Sequence, residues 1–193
     1  MTTITVARKD GFVAIAADSQ TTFGDMRLSS AYKREHDKLL QVGDSWIGVC
    51  GSSAHHLVLV SAFQELGEAD LSSREAVFDT FRRLHPVLKE HAYLNPKEDD
   101  DDPYESSQLS CLIANASGIY AVYSYREVFA FDRFWAAGSG RSYALGAMYA
   151  AYNAQVSAEE IAKLGVRAGM EFDTASGGPI VSYAMALDVN IGA

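Results

Sequence analysis

The sequence has no excess of positive charge, only two cysteines and no long apolar run. Its 16 Lys and Arg residues are outnumbered by 25 Asp and Glu residues, which gives a net charge of −9. Nucleic acids and anionic membranes bind basic surfaces, so this charge argues against both as partners. No apolar stretch reaches the length of a membrane span, and the first residues lack the basic and apolar regions of a signal peptide. We therefore expect a cytoplasmic protein.

The two cysteines, Cys50 and Cys111, lie far apart in the sequence and lack the short spacing of a metal site. Because nothing else indicates secretion, we expect two buried thiols in a reducing compartment. The adjacent His55 and His56 have no third ligand at metal spacing, so we interpret them as structural and predict no metal site. The chain has 193 residues, 48% of them hydrophobic, and we predict one domain over residues 1–193.

Turn signals divide the chain into strands, two helices, strands, two helices and a closing strand. Asp10-Gly11 predicts a tight hairpin near the start, and Gly43-Asp44 predicts another. The segment from Thr21 to Asp37 shows no clear period. The NASG stretch from Asn115 to Gly118 marks a turn between later strands.

Helical periodicity begins at His55 and continues to Leu66. Further on, Pro86 lies inside a second helical pattern, where we expect it to kink or break the helix. Capping boxes are predicted at two helix starts, by Ser72 with Glu75 and by Ser157 with Glu160.

The order of these elements lacks the alternation of strand and helix that builds parallel sheets. We therefore predict an α+β fold with mainly antiparallel sheets. Two sheets packed face to face, with a pair of helices outside each sheet, would bury every apolar stripe of the pattern.

Thr2 directly follows Met1 and precedes a predicted strand. Methionine aminopeptidase normally removes Met1 before a small residue, and removal would leave the Thr2 hydroxyl beside a free α-amine. Such an amine, with a reference pKa of about 8, can take the hydroxyl proton, so one residue supplies both nucleophile and base. The alternative is an ordinary Met-Thr start with no chemical role.

Four motifs resemble the proteasome β-type subunits and, among bacterial peptidases, HslV. They are TTITVARKDGFVAIAADSQTT at the start, DKLLQVGDSWIGVCGSSA, AAGSGRSYALGAM and RAGMEFDTASGGPI, in the order of that family. The short chain and its acidic insert resemble most the smaller bacterial proteasome homologue known as BPH. The resemblance implies the four-layer αββα sandwich of the N-terminal nucleophile (Ntn) hydrolases.

The resemblance also implies roles for individual residues. Thr2 matches the nucleophile, Asp18 the catalytic carboxylate and Lys38 the catalytic lysine, whose charge would lower the pKa of the Thr2 hydroxyl. The stretch before Lys38 is longer than in HslV, so a direct count reaches Arg34, and Lys33 competes. We choose Lys38 because an apolar strand follows it. A turn-forming Asp18 and a solvated Lys38 are the alternatives without chemistry.

Further positions follow from the same resemblance. Gly48 matches the glycine whose N–H binds the oxyanion, although close packing alone would also require a glycine there. Ser139, Asp173 and Ser176 match residues that hydrogen-bond around the Thr2 amine, whereas Gly-Ser-Gly alone could equally cap a helix. The specificity pocket of the family maps to Trp46 and Cys50. The alternative is that both are core side chains on a buried strand.

The implied function is peptide-bond hydrolysis by an N-terminal threonine, without a cofactor, in a self-compartmentalised protease. The implied partners are peptide or unfolded protein substrates, further copies of the chain in stacked homo-oligomeric rings, with fourteen subunits favoured over twelve, and a ring-shaped ATPase. Two alternatives are a catalytically inactive ring subunit and an Ntn amidohydrolase acting on a small molecule.

The acidic stretch from Glu98 to Glu105 opens with five consecutive carboxylates. Such a run cannot be buried unpaired, so it must contact water or cations. We expect a surface loop. In a ring it would be repeated once per subunit and could form a negative belt that disfavours acidic substrates.

Overall fold

Two antiparallel sheets lie face to face at the centre of the protein. The structure is a computed structural model that describes residues 2–34, 38–97 and 101–188. From edge to edge, the first sheet contains β10 (Phe134–Gly138), β1 (Thr3–Lys9), β2 (Phe12–Ala17) and β11 (Val181–Ala186). The second contains β5 (Leu39–Val42), β6 (Ser45–Cys50), β7 (Ser110–Asn115), β8 (Gly118–Val122) and β9 (Val128–Phe131).

One pair of helices covers the outer face of each sheet. The helices are α1 (His55–Leu66) and α2 (Arg74–His91) on the second sheet, and α3 (Arg141–Ala151) and α4 (Ala158–Phe172) on the first. Three apolar layers result, one between the sheets and one beneath each helix pair. The predicted four-layer αββα arrangement is therefore confirmed. No described helix is both long and apolar enough to cross a membrane.

The hairpins follow the predicted turn signals. β1 and β2 pair antiparallel around Asp10 and Gly11, which both adopt positive φ angles, 50° and 77°. A tight hairpin turn needs this left-handed backbone, which glycine adopts without steric cost. The segment without a clear period contains a further hairpin of β3 (Thr21–Phe23) and β4 (Met26–Leu28), followed by a short 3₁₀ turn.

The helix starts differ from the prediction in one case. Ser157 Oγ accepts a hydrogen bond from Glu160 N–H at 3.2 Å, as predicted. The cap of α2 is Ser73 and not Ser72, because Ser73 has the extended backbone of a cap and its Oγ accepts from Ala76 N–H at 3.1 Å.

Of the kink or break predicted at Pro86, the break does not occur, since α2 continues through this residue to His91. Proline removes one helical hydrogen bond, but Leu84 and Leu88 on either side are buried in the apolar layer above the second sheet. The burial of two leucines outweighs that loss and keeps the helix intact.

The described part of the acidic stretch lies at the surface, whereas residues 98–100 fall outside the described residues. Asp101 is exposed, and Asp102 Oδ2 accepts a hydrogen bond from the Tyr125 hydroxyl at 2.6 Å. Glu105 accepts two from Lys89, at 2.6 and 2.7 Å. The C-terminal end of the acidic loop is therefore attached to α2.

Candidate active site

Thr2 lies directly before β1 and is buried, with 6% of its surface exposed. β1 pairs with β10 on one side, and the register places Thr3 opposite Gly138. Gly138 has a φ of 92°, and a Cβ there would overlap the Thr2 carbonyl oxygen. The glycine therefore allows the two backbones to approach each other, which holds Thr2 in a defined position.

Thr2 is one of the residues that line a cleft of about 420 Å³. The other lining residues are Gln20, Thr21, Thr22, Lys33, Lys38, Val49, Gly51, Ser52, Ser53, His56 and Leu57. They come from the segment after β2, the residues before β5, the end of β6, the loop that follows it and the first turn of α1. The cleft thus lies where the ends of both sheets meet.

Asp18 directly follows β2 and is buried, with 1% exposure. Its Oδ1 accepts hydrogen bonds from Thr3 N–H at 2.9 Å and from Lys38 Nζ at 2.7 Å. Its Oδ2 accepts from Gln20 N–H at 3.1 Å and from Gly177 N–H at 2.9 Å. Two donors on each oxygen use the full accepting capacity of a carboxylate. Asp18 is therefore a fixed negative charge between the start of β1 and the loop that precedes β11.

Lys38 immediately precedes β5 and extends its side chain to Asp18, with 14% of the side chain exposed. Burial is the largest influence on its ammonium and lowers the pKa of Lys38, although the Asp18 carboxylate acts in the opposite direction. The nearby charge of Lys33 lowers this pKa further. The site thus contains a lysine that holds its proton less tightly than an ordinary one.

Lys33, the competing lysine, also lines the cleft but has different partners. Its Nζ donates to Thr21 Oγ1 at 2.8 Å and to the Ser19 carbonyl oxygen at 3.3 Å. Of the two lysines, it is Lys38 that reaches the buried carboxylate. Three residues between them, 35–37, fall outside the described residues.

A chain of hydroxyls connects Thr2 to the loop after α4. Thr2 N–H donates to Ser139 Oγ at 3.2 Å, and Ser139 Oγ donates to Asp173 Oδ2 at 2.6 Å. Ser176 Oγ donates to the same Asp173 oxygen at 2.7 Å. Burial raises the pKa of Asp173, but the hydrogen bonds from Ser139 and Ser176 outweigh it and leave the pKa lowered. Asp173 therefore orients both hydroxyls.

Thr2 and Thr3 have different surroundings. Thr3 is fully buried, and its Oγ1 lies 2.7 Å from Ser176 Oγ. Because Ser176 donates to Asp173, the Thr3 hydroxyl is the donor in this pair. A Cβ added to Gly140 or Gly169 would also collide with the Thr3 side chain. Of the three residues expected around the Thr2 amine, Ser139 therefore contacts the Thr2 backbone, and Ser176 instead contacts Thr3.

Gly48 lies within β6, paired with Leu39 on one side and Leu112 on the other. A Cβ on Gly48 would lie 2.6 Å from Ile4 Cγ2, which is closer than real side chains approach. Close packing between the two sheets is thus sufficient to require glycine here. The cleft wall from the same region consists of Val49, Gly51 and the two serines that follow.

The two residues expected in the specificity pocket both belong to the apolar layer between the sheets, and neither is among the residues that line the cleft beside Thr2. Trp46 stacks on Tyr183 with ring centroids 3.4 Å apart and planes within 5°, and it packs into the apolar layer between the sheets. Cys50 lines a second cavity of about 640 Å³, which shares Gly51 with the cleft beside Thr2. Burial raises the pKa of Cys50 to about 12, so this thiol stays neutral. Both cysteines are free and buried, as expected.

Several cleft residues were not singled out by the sequence. Lys33 was noted only as a competitor, and His56 was interpreted as structural. Gln20, Ser52 and Ser53 lie within two of the four motifs but received no role there, and the folded chain brings them to Thr2. Within the described ranges, no three His, Cys, Asp or Glu side chains are placed to hold a metal ion.

The fold and the site define a class of protein. Two antiparallel sheets between two helix layers, with the cleft at the start of a central strand, form the Ntn-hydrolase fold. The chain belongs to the proteasome subunit family, because the family described as "Proteasome subunit" matches residues 1–183.

Solved structures agree with this assignment. The structure titled "Thiobacillus denitrificans BPH" is 44% identical, with a TM-score of 0.92, and the match covers 97% of this chain and 100% of that one. The same protein in complex with epoxomicin is also 44% identical, with a TM-score of 0.90 and coverage of 96% and 99%. Eukaryotic HslV from Trypanosoma brucei shares the fold, at 22% identity, a TM-score of 0.72 and coverage of 95% and 99%. A comparison with curated protein sequences gives no match.

Proposed function

We propose that the chain is a threonine-type endopeptidase whose nucleophile is Thr2 after removal of Met1. One observation carries the proposal, namely that Thr2 and Lys38 line the same cleft while Lys38 is held by the buried Asp18. A hydroxyl alone is a weak nucleophile and needs a base and a nearby positive charge. The α-amine of a processed Thr2 supplies the base, and Lys38 supplies the charge.

The reaction then proceeds through an ester. Thr2 Oγ bonds to the carbonyl carbon of the scissile peptide, and its proton passes to the α-amine directly or through a water. The C–N bond breaks, the leaving amine takes up that proton, and the acyl group remains on Thr2 Oγ. A water then attacks the ester carbon and gives one proton to the α-amine. The C–O bond to Thr2 breaks, Thr2 Oγ takes up that proton to become a hydroxyl again, and the acyl group leaves as a carboxylic acid. No cofactor is required by these steps.

The remaining residues assist these steps in the proposed mechanism. Ser139, oriented by Asp173, holds the Thr2 backbone nitrogen, while Ser176 anchors the adjacent Thr3. The backbone N–H of Gly48 is proposed as the oxyanion donor. Cys50 is proposed as part of the substrate pocket, and Trp46 acts on that pocket through its position between the sheets.

We further propose that the chain assembles into stacked homo-oligomeric rings in the cytoplasm, with a ring ATPase as a candidate partner. Members of this family form such rings. Exposed aromatic side chains on the helix pair α3 and α4 support self-assembly. Tyr149 is 75% exposed, and Tyr143 packs against Phe172, which is 65% exposed. We favour fourteen subunits over twelve. A monomeric mass in native mass spectrometry at micromolar concentration would refute the rings.

Intact mass spectrometry with epoxomicin tests the chemistry, since a related protein forms a complex with this inhibitor. Epoxomicin is an epoxyketone that offers a carbonyl to the hydroxyl and an epoxide to the amine, so it reports on both groups. We expect a subunit without Met1 that gains the mass of one inhibitor. The Thr2→Ala variant should also lose Met1 but gain nothing.

Two results would contradict the proposal. A processed wild-type protein that forms no adduct and cleaves no peptide would favour the inactive ring subunit. An adduct of equal yield on Thr2→Ala would place the reactive group elsewhere.

A further inference from the structure

The cleft beside Thr2 has a positive charge that its lining residues do not neutralise. Two lysines, Lys33 and Lys38, line it, and none of the described lining residues is acidic. Lys38 is paired with Asp18 behind it. Lys33 instead donates to two uncharged oxygens, of Thr21 and Ser19. Among the described residues no carboxylate pairs with Lys33, so its ammonium can act on a ligand in the cleft.

A second, independent observation concerns His56 in the same cleft. Its Nε2 is buried and, within the described residues, has no hydrogen-bond partner. A buried polar atom without a partner costs free energy, so it indicates a ligand that the folded chain does not supply. The neighbouring His55 lacks this feature, because its Nε2 lies 3.0 Å from the Gln108 carbonyl oxygen.

The N-terminus of α1 forms the adjacent wall. The capping residue, Ala54, has no side-chain hydrogen bond to the helix, and the first turn contains no acidic residue. Helix N-termini have a partial positive charge and favour anions. Lys33, His56 and this helix end thus favour a group of the same charge.

We propose that the cleft contains a subsite for an acidic side chain of the peptide substrate, in which Lys33 is the counter-ion and His56 donates a hydrogen bond through Nε2. This proposal rests on the proposed peptidase function. A neutral amide could satisfy His56, but only a carboxylate also pairs with the lysine and the helix end. Lys33 and His56 are then specificity-determining residues, distinct from the Lys38–Asp18 pair.

Matched peptides that differ only by Glu or Gln at each position before the scissile bond test the subsite. Two measurements are made on the full-length protein: kcat/KM of the wild type, and Kd for fluorescein-labelled peptides on Thr2→Ala, which the proposed mechanism makes unable to cleave. At one position before the scissile bond, we expect the Glu peptide to have a kcat/KM about tenfold higher and a Kd about tenfold lower than the Gln peptide. This factor corresponds to the free energy of one charge-assisted hydrogen bond. The ratio should shrink as salt is raised.

Three variants assign the preference. Lys33→Gln and His56→Phe should each reduce the Glu/Gln ratio several-fold, while Lys9→Gln should leave it unchanged, because Lys9 bonds the Ala154 carbonyl oxygen elsewhere on the protein. His56→Phe keeps the size of the ring and removes the unpartnered nitrogen. We therefore expect it to fold at least as well as the wild type.

The outcomes separate the two proposals. Hydrolysis with equal kcat/KM for Glu and Gln peptides overturns the subsite and leaves the peptidase function standing. A Glu preference in binding without any hydrolysis by the wild type overturns the function and leaves the subsite standing. A preference that persists in Lys33→Gln also overturns the subsite as described.

Discussion

The ammonium of Lys38 and the carboxylate of Asp18 lie 2.7 Å apart at the junction of the two sheets. Asp18 directly follows β2 of the first sheet, and Lys38 directly precedes β5 of the second sheet. The pair therefore connects the two sheets beside the cleft, and its members can be tested separately.

Replacement of Asp18 by Asn should destabilise the fold strongly. The amide would leave Lys38 as a buried charge without its carboxylate, which costs about 3–5 kcal/mol. Urea unfolding followed by circular dichroism measures the change. Asp79→Asn is the matched control, because the Asp79–Arg82 pair is more than half exposed and contributes under about 1 kcal/mol. Equal losses in the two variants would show that the buried pair has no special role.

Replacement of Lys38 by Ala should reduce peptide turnover by at least about 100-fold, the usual loss when one group that stabilises developing charge is removed. The physical reason is loss of the positive charge next to the nucleophile. Lys33→Ala should keep a larger share of turnover with a neutral peptide, since Lys33 does not contact Asp18. The reverse order of the two losses would mean that Lys33 is the catalytic lysine.

Thr2 and Thr3 should respond differently to loss of the hydroxyl. Thr2→Ala should abolish peptidase activity with an unchanged midpoint of thermal unfolding, because the Thr2 hydroxyl has no structural role in our proposal. Thr3→Val keeps the side-chain shape but removes the donor to Ser176, which should cost about 1 kcal/mol of stability. Calorimetry and a fluorogenic peptide assay measure both. Full activity of Thr2→Ala would disprove the mechanism.

Gly48→Ala separates packing from chemistry at this position. The added methyl would press on Ile4, and overpacking typically costs about 1–3 kcal/mol. Adding Ile4→Ala makes room, so the double variant should be more stable than the sum of the two single losses predicts. Both single variants and the double variant are compared by urea unfolding. A strictly additive result would show that Ile4 is not the reason for the glycine.

The stability of the fold should decrease in acid because His85 is buried. His85 is buried, with Nδ1 2.9 Å from Ser107 Oγ and Nε2 3.1 Å from Glu105 Oε2. Burial is the main cause that lowers the pKa of His85, and the nearby charge of Arg126 adds to it, although Glu105 raises it. The pKa of His85 is therefore lower in the folded protein than its ordinary value of 6.5, and below pH 6.5 the unfolded chain binds more protons than the folded one. The stability contributed by neutral His85 is present above pH 6.5 and is lost as the pH falls toward the pKa of the folded state.

The measurement is the free energy of unfolding of the wild type and His85→Gln between pH 5 and about 7.5. The wild type should lose more stability than the variant on acidification. A parallel pH dependence would exclude His85 as the titrating group.

Much of the local structure could be predicted from the sequence, because the signals involved act over a few residues. The Asp10-Gly11 hairpin was predicted correctly, because its turn requires only that these two adjacent residues adopt positive φ angles. The bounds of α1 match the predicted His55 to Leu66. The layer arrangement also followed, since four amphipathic helices and antiparallel strands have few ways to bury their apolar faces. The family resemblance, now confirmed, added the candidate site residues.

The tertiary structure decided which residues meet. Lys33 and Lys38 have the same chemistry and lie close in sequence, so only the path of the chain into β5 directs Lys38 to Asp18. Thr2 and Ser139 are 137 positions apart, and Asp18 and Gly177 are 159 apart, distances over which no local signal acts. Packing also overrode a local rule at Pro86. The sequence by itself determined most of the helices and strands and their apolar faces, because these depend on neighbouring residues. The lysine charges of the cleft, and the His56 nitrogen without a partner among the described residues, came together only when the two sheets packed against each other.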